Sequence, residues 1–267
     1  MDSVKELIKY LKETGLEVHT TTKARGHQGI FMKNRIDVSK NIPESRVMPT
    51  LLHEFAHYVH SCLEKIERTG GSLEVLFNDS DVKVYQEELL RVTNFVDSHS
   101  KCEKLHNYKK SVKSNILAQE KIIKARYPKF MRSKNFKEFD RYIRHSKAKY
   151  LLKCDRVFVK SGFFSSKTEL LTIDNIEKDF CDMPSEFVAY IRLHSLQKKQ
   201  SRVSSRIYRL QKYYEKPTEL FARLVEGLYL DSAMVQKLAP NTCYRFYKLL
   251  NNGYYGDNLL YVMENFL

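Results

Sequence analysis

The run His53-Glu54-Phe55-Ala56-His57-Tyr58-Val59-His60 constrains this chain more than any other feature. It holds the pattern H-E-x-x-H inside an apolar stretch that begins at Met48 and carries Pro49-Thr50-Leu51-Leu52 ahead of the first histidine. Such a stretch reads as a buried helix, and Pro49 suits its first turn. Residues four apart on a helix lie one above the other, with Cβ atoms about 5–6 Å apart. His53 and His57 can therefore grip one metal ion, and zinc is the ion that this spacing suits. Glu54, one position on, is rotated away from direct ligation but lies close enough to take a proton from a metal-activated water. Five letters with three fixed would also describe a solvated histidine pair on an ordinary helix. The apolar flanks argue against that, because buried imidazoles and a buried carboxyl are costly without a partner.

His60 faces the same side as His53 but lies about 10 Å further along the helix axis. That is too far to share one ion, and Tyr58-Val59 offer no break that would fold the chain back. His60 is read as a group behind the ligands or at the surface.

The surrounding pattern predicts an α+β chain, mainly α-helical, with a small N-terminal β-hairpin or sheet ahead of the H-E-x-x-H helix. Val4 to Thr14 reads as a helix ended by Gly15. Leu16–Lys23 and Ile30–Val38 read as strands joined by a turn at Gly26-His27-Gln28-Gly29. The motif helix is expected from about Pro49 to Arg68, stopped by Gly70-Gly71, and a further helix over Val82–Asn94. Residues 101–153 read as helices broken near Pro128, and Arg156–Ile173 as a hairpin around Ser161-Gly162. Helices follow over Pro184–Lys199, Ser204–Tyr214 and Lys216 to about Leu230, then short helices to the end. Three segments result: 1–100 with the motif helix, a basic helical insert at 101–180, and a C-terminal half at 181–267. Together they make one catalytic domain.

A catalytic zinc site commonly takes three protein ligands and leaves a fourth place open. Two later segments, Pro184-Ser185-Glu186 and Pro217-Thr218-Glu219, offer a carboxylate in the first turn of a helix. In both, the hydroxyl and the acid also suit a plain helix start. Tyr213 and Tyr214 precede the second segment, and either phenol can donate to a tetrahedral oxyanion or simply pack. Arg223 and Glu226 lie one and two turns beyond Glu219. They can orient the ligands or form an ordinary i, i+3 ion pair.

The stretch from Tyr213 to Glu226 resembles the pattern Y-x-x-x-P-x-E-L-F-A-R-x-x-E, and Leu51 to His57 resembles L-x-H-E-x-x-H. Both patterns occur in zincin-like metallopeptidase domains of the polyvalent proteins of phages and conjugative elements. The resemblance implies a gluzincin-type zinc peptidase with Glu219 as third ligand and Glu186 as the runner-up. It leaves residues 101–180 unexplained, and the gap of about 160 residues between motif and Glu219 requires an insertion. A weaker similarity, to the ImmA/IrrE-type peptidases, fits less well because their ligand Glu follows the histidines much sooner.

Charge separates the segments. Residues 101–160 hold 19 Lys/Arg and 5 Asp/Glu, so this stretch carries the chain's whole net charge of +14. Aromatic residues Tyr108, Tyr127, Phe130, Phe136, Phe139, Tyr142 and Tyr150 are interleaved with those cations. A surface of that kind can bind nucleic acid or an acidic protein, or can be a solvated helix face. A nucleic-acid-binding accessory protein of a mobile element, with a structural or vestigial zinc site, is therefore the competing reading. No apolar run reaches membrane-spanning length. The first residues open an amphipathic helix rather than a secretory signal. Five scattered cysteines suit reduced thiols. The expected location is the cytosol, or another cell's cytosol for a delivered effector protease.

Overall fold

A computed structural model of the chain describes residues 2–21, 28–64, 71–160 and 168–267. Helix α1, Asp2–Glu13, buries Leu7 and Leu11 and stops at Gly15, whose φ of 89° suits a residue without Cβ. Strands β1 (Glu17–Thr21), β2 (Gly29–Met32) and β3 (Arg35–Ser39) form one sheet in the order β1-β3-β2. This corrects the expected hairpin. The run Ile30–Val38 is not one strand: a turn at Lys33-Asn34, with Lys33 at φ 56°, splits it into the antiparallel pair β2–β3. β1 then pairs with β3 in parallel rather than with β2. β3 becomes the central strand, with Ile36 and Val38 buried, and β2 becomes an edge. The expected turn at residues 26–29 lies largely outside the described residues.

Helix α2, Val47–Glu64, carries the histidine motif. The short α3, Leu73–Phe77, capped by Ser72, was not anticipated, and α4 spans Lys83–Val96. α5 (Glu103–Arg126), α6 (Lys137–Ile143), strands β4 (Arg156–Lys160) and β5 (Thr168–Thr172), and α7 (Ile176–Asp179) follow. β4 and β5 are antiparallel, as the hairpin reading required. α8 runs unbroken from Ser185 to Tyr214, where two helices were expected. Residues 200–203, Gln-Ser-Arg-Val, contain neither Gly nor Pro to stop it. α9 spans Pro217–Leu238 and kinks at Asp231 (φ −161°, ψ 87°), one residue after the expected end. α10 (Pro240–Asn251) and α11 (Asp257–Phe266) finish the chain. The architecture is α+β and mainly helical. Among the described residues no helix is long and apolar enough to cross a membrane.

The chain divides into two compact units, residues 1–101 with 209–267, and residues 102–208. In the first, Leu51, Leu52, Phe55 and Ala56 of α2 share a core with Ile36 and Val38 of β3 and with Leu220, Phe221, Leu224 and Val225 of α9. Thus α2 and α9, about 160 residues apart in sequence, lie side by side. The second unit has its own core, in which Ile116 and Ile123 of α5, Phe139 of α6 and Leu171 of β5 meet Phe187, Val188 and Ile191 of α8. Those last residues explain why this unit reaches Tyr208 rather than ending near 180. The first half of α8 has its apolar partners there.

A buried carboxylate secures α10. Glu88 of α4 accepts from the Thr242 backbone N–H (2.8 Å), the Thr242 hydroxyl (2.7 Å) and the Asn241 side-chain amide (2.8 Å). It supplies the anion that a helix N-terminus favours. Burial alone would push the Glu88 carboxyl up, but the hydrogen bonds from Thr242 and Asn241 hold it below the ordinary range. A depressed folded-state pKa gives stability that is full above the unfolded value of about 4.3 and is lost as pH falls through the folded one. Glu88→Gln is expected to lower the unfolding free energy by about 1–3 kcal/mol at pH 7. The gap from wild type should shrink as the pH drops below about 4.3. Urea unfolding at several pH values measures both; a pH-independent gap would contradict the assignment.

Candidate metal centre

α2 buries its apolar face against α9 and the sheet, and this sets where its polar residues can go. His53 and His57, one turn apart, stand with ring centroids 4.9 Å apart and planes at 81°. Glu219 comes from the first turn of α9, directly after the helix-starting Pro217. His53 Nε2 lies 3.6 Å from Glu219 Oε2, and His57 Nε2 lies 3.5 Å from Glu219 Oε1. One donor atom from each of the three residues falls within 4.8 Å of the others. His53 and Glu219 are buried and His57 is half-buried.

Three observations test whether these residues suit a metal ion. Tetrahedral ligands at about 2.0–2.2 Å from an ion stand about 3.3–3.6 Å from one another, a range that holds the 3.6 and 3.5 Å separations between the histidines and Glu219. Glu219 Oε2 is buried and accepts no hydrogen bond, an orphaned acceptor of the kind that calls for a cation. The donor chemistry, two imidazoles and a carboxylate, can hold a divalent metal ion, zinc among them. The residues fit.

The groups behind the donors fix their orientation. His53 Nδ1 donates to Glu226 Oε2 at 3.1 Å, which turns Nε2 toward Glu219, where it can ligate an ion once its proton is displaced. Glu226 is buried and also accepts from Arg223 Nη1 (2.7 Å) and Arg46 Nη2 (3.0 Å). Arg223 reaches on to Asp97 (3.3 Å). Arg223 and Glu226 are thus not a solvated surface pair but a buried bridge to His53.

Electrostatics follow this arrangement. Burial works to lower the His53 imidazole, but Glu219 and Glu226 on its two sides hold it at about 9. Burial pushes His57 down to about 3, with the neighbouring His53 adding to the effect. Burial works to raise Glu219, yet His53, His57 and Tyr213 hold it down at about 2. The pair of carboxylates around His53 favours positive charge at this point.

Glu54 is buried beside the donor group. Burial raises its carboxyl to about 7, against the pull of His53 and of a hydrogen bond from the Phe31 backbone N–H. A base is most useful near working pH. The edge strand β2 crowds this carboxylate. A Cβ at Gly29 would stand 2.7 Å from Glu54 Oε1 and 2.6 Å from Thr50 Cγ2, so any larger residue would displace the Glu54 or Thr50 side chain.

The two tyrosines separate. Successive helical residues point about 100° apart, so Tyr213 and Tyr214 cannot face the same group. Tyr213 donates to Glu219, and burial together with that carboxylate pushes its phenol up. Tyr214 is buried and donates to Asp97 Oδ2 at 2.8 Å, so in this structure its hydroxyl is directed at Asp97. Glu186, the runner-up ligand, starts α8 in the second unit, 4.0 Å from Arg126. It is not one of the three residues whose donor atoms converge. His60 is buried rather than at the surface. Its Nε2 lies 3.0 Å from Glu64 Oε2, while Glu64 Oε1 accepts from the Ser72 N–H at 2.6 Å. Gly71, at φ 80°, leaves no room for a Cβ, which would meet His60 Nε2 at 2.6 Å. His60 and Glu64 therefore brace the chain after α2.

Four contributors escaped the sequence reading: Arg46, Asp97, the Phe31 amide and Gly29. The first two act across long chain separations and the third through backbone. In sequence Gly29 reads as the end of a turn, and its close approach to Thr50 and Glu54 shows only in the structure.

No family model, curated protein or solved structure matches this chain.

Proposed function

We propose that the chain is a zinc-dependent peptidase of the gluzincin type, with His53, His57 and Glu219 as metal ligands and Glu54 as general base. The observation that carries this reading is the convergence of the three donor atoms within 4.8 Å, next to a buried glutamate. Held by His53, His57 and Glu219, zinc would supply a Lewis acid for the substrate carbonyl and for the attacking water. Glu54 takes the water's proton and returns it to the leaving amine, a role suited to a carboxyl raised to about 7. Phe31 N–H and the bare backbone at Gly29 hold that carboxylate in place. Glu226 orients His53, and Tyr213 orients Glu219. Peptides or proteins are the substrate class. A zincin-like fold is part of this proposal, as is a cytosolic setting, which five free cysteines support.

Metal analysis of the purified, zinc-loaded chain tests the ligand set. Wild type is expected to retain about one zinc per chain after dialysis, and Glu186→Ala the same. His53→Ala and Glu219→Ala should each fall below about a tenth of that, since one lost ligand of three removes most of the binding. A wild-type chain without stoichiometric zinc, or a His53→Ala chain that keeps it, would overturn the site.

A further inference from the structure

The second unit holds 25 Lys/Arg against 11 Asp/Glu, which accounts for the chain's whole net charge of +14. Charge of this density attracts polyanions but does not say which. The outward face of the β4–β5 hairpin is more specific. Side chains alternate along a strand, so Arg156, Phe158 and Lys160 share one face, and all three are exposed. Val157 and Val159, on the other face, pack toward the unit's core. The Phe158 ring is 66% exposed, and the Arg156 guanidinium lies 5.6 Å from its centroid. Across the hairpin, Thr172, Leu170 and Thr168 stand opposite Arg156, Phe158 and Lys160, so this face bears no acid. Glu169 pairs with Val159 on the opposite face and is bound to Lys147 at 2.9 Å. The adjoining turn at residues 147–152, packed on both strands, repeats the pattern: Tyr150 is 42% exposed, with the Lys149 ammonium 5.5 Å from its ring.

A solvated basic surface accounts for the lysines but not for an aromatic ring set outward between two cations. That combination fits a ligand that repeats a flat π-face and a phosphate. We propose that the Arg156–Phe158–Lys160 face is a stacking platform for single-stranded nucleic acid. One unpaired base lies on Phe158, and flanking phosphates meet Arg156 and Lys160. A duplex would not serve, because its bases are already stacked inside. An acidic protein would meet the charge but leave the ring unused. The inference is independent of the metal centre.

Fluorescence anisotropy of a labelled 20-nucleotide oligo-dT, titrated with the full chain from 50 to 300 mM NaCl, tests it. Affinity should fall steeply with salt, and a 20-base-pair duplex should bind more weakly at each salt. Phe158→Ala should weaken oligo-dT binding by about 5- to 100-fold, the usual effect of removing one stacking ring. Phe158→Trp should restore it. Arg156→Ala should flatten the salt slope by roughly 0.7. Because Phe158 is exposed, thermal unfolding should be unchanged in both Phe158 variants; if Phe158→Ala does shift it, recovery of binding by Phe158→Trp still decides the point. No binding at 50 mM salt, equal binding by Phe158→Ala, a duplex bound as tightly, or polyglutamate competing as well as oligo-dT would each overturn the proposal.

Discussion

Glu54→Gln is expected to keep about one zinc per chain and to lose roughly 10²- to 10⁴-fold of peptide hydrolysis, the usual contribution of a positioned general base. The substitution is nearly isosteric, and the amide oxygen can still accept from Phe31 N–H. It also leaves the three donor residues untouched. What it removes is the capacity to accept a proton. Metal content and turnover of a peptide library by the zinc-loaded variant separate the two properties. Unchanged turnover would remove Glu54 from the mechanism while leaving the ligand set intact. Loss of zinc along with turnover would mean that Glu54 acts on the ligands rather than on water.

Glu226→Ala carries the largest expected cost in stability, about 3–5 kcal/mol, the usual result of removing one partner from a buried ionic group. Glu226 is 1% exposed and answers three donors: Arg46, Arg223 and His53. Without it, Arg223 and Arg46 both lose the carboxylate they share, while Arg223 keeps its contact with Asp97. Zinc affinity should also fall by about 10- to 100-fold, because nothing then fixes the His53 tautomer and ring plane. Urea unfolding and competitive zinc titration read the two effects separately. A stability change below about 1 kcal/mol would mean that water replaces the carboxylate easily and that the network matters little.

The parts of the centre that were legible in sequence share one property: each is set by local spacing. His53 and His57 are four apart on a helix whose apolar flanks announce its burial. Glu219 follows a proline that starts a helix, as Glu186 does, and the resemblance of the Tyr213–Glu226 stretch is what favoured Glu219 of the two. The parts that were not legible depend on distant pairing. Glu226 meets His53 across 173 residues and Arg46 across 180. The choice between Tyr213 and Tyr214 turned on which way one helix is rotated, which neighbouring tyrosines cannot reveal. The sheet misled for a similar reason. The pattern in Ile30–Val38 suits one long strand, but the turn at Lys33-Asn34 lets β3 return between β1 and β2, where its Ile36 and Val38 are best buried. The unit boundary escaped because it falls inside α8, between Tyr208 and Arg209, and not at a loop.

The splitting of the first unit around the second bears on how the protein is made. Ribosomes extend chains at about 5–20 residues per second, and about 160 residues separate His53 from Glu219. The two imidazoles therefore wait on the order of 10–30 s for the carboxylate that completes their site. During that interval α2 also lacks α9, which covers much of its apolar face. Residues 102–208, with a core of their own, emerge complete before the metal centre can close. Any nascent chain that stops short of α9 holds His53, His57 and Glu54 without Glu219, so the three donor atoms cannot converge before α9 has been made.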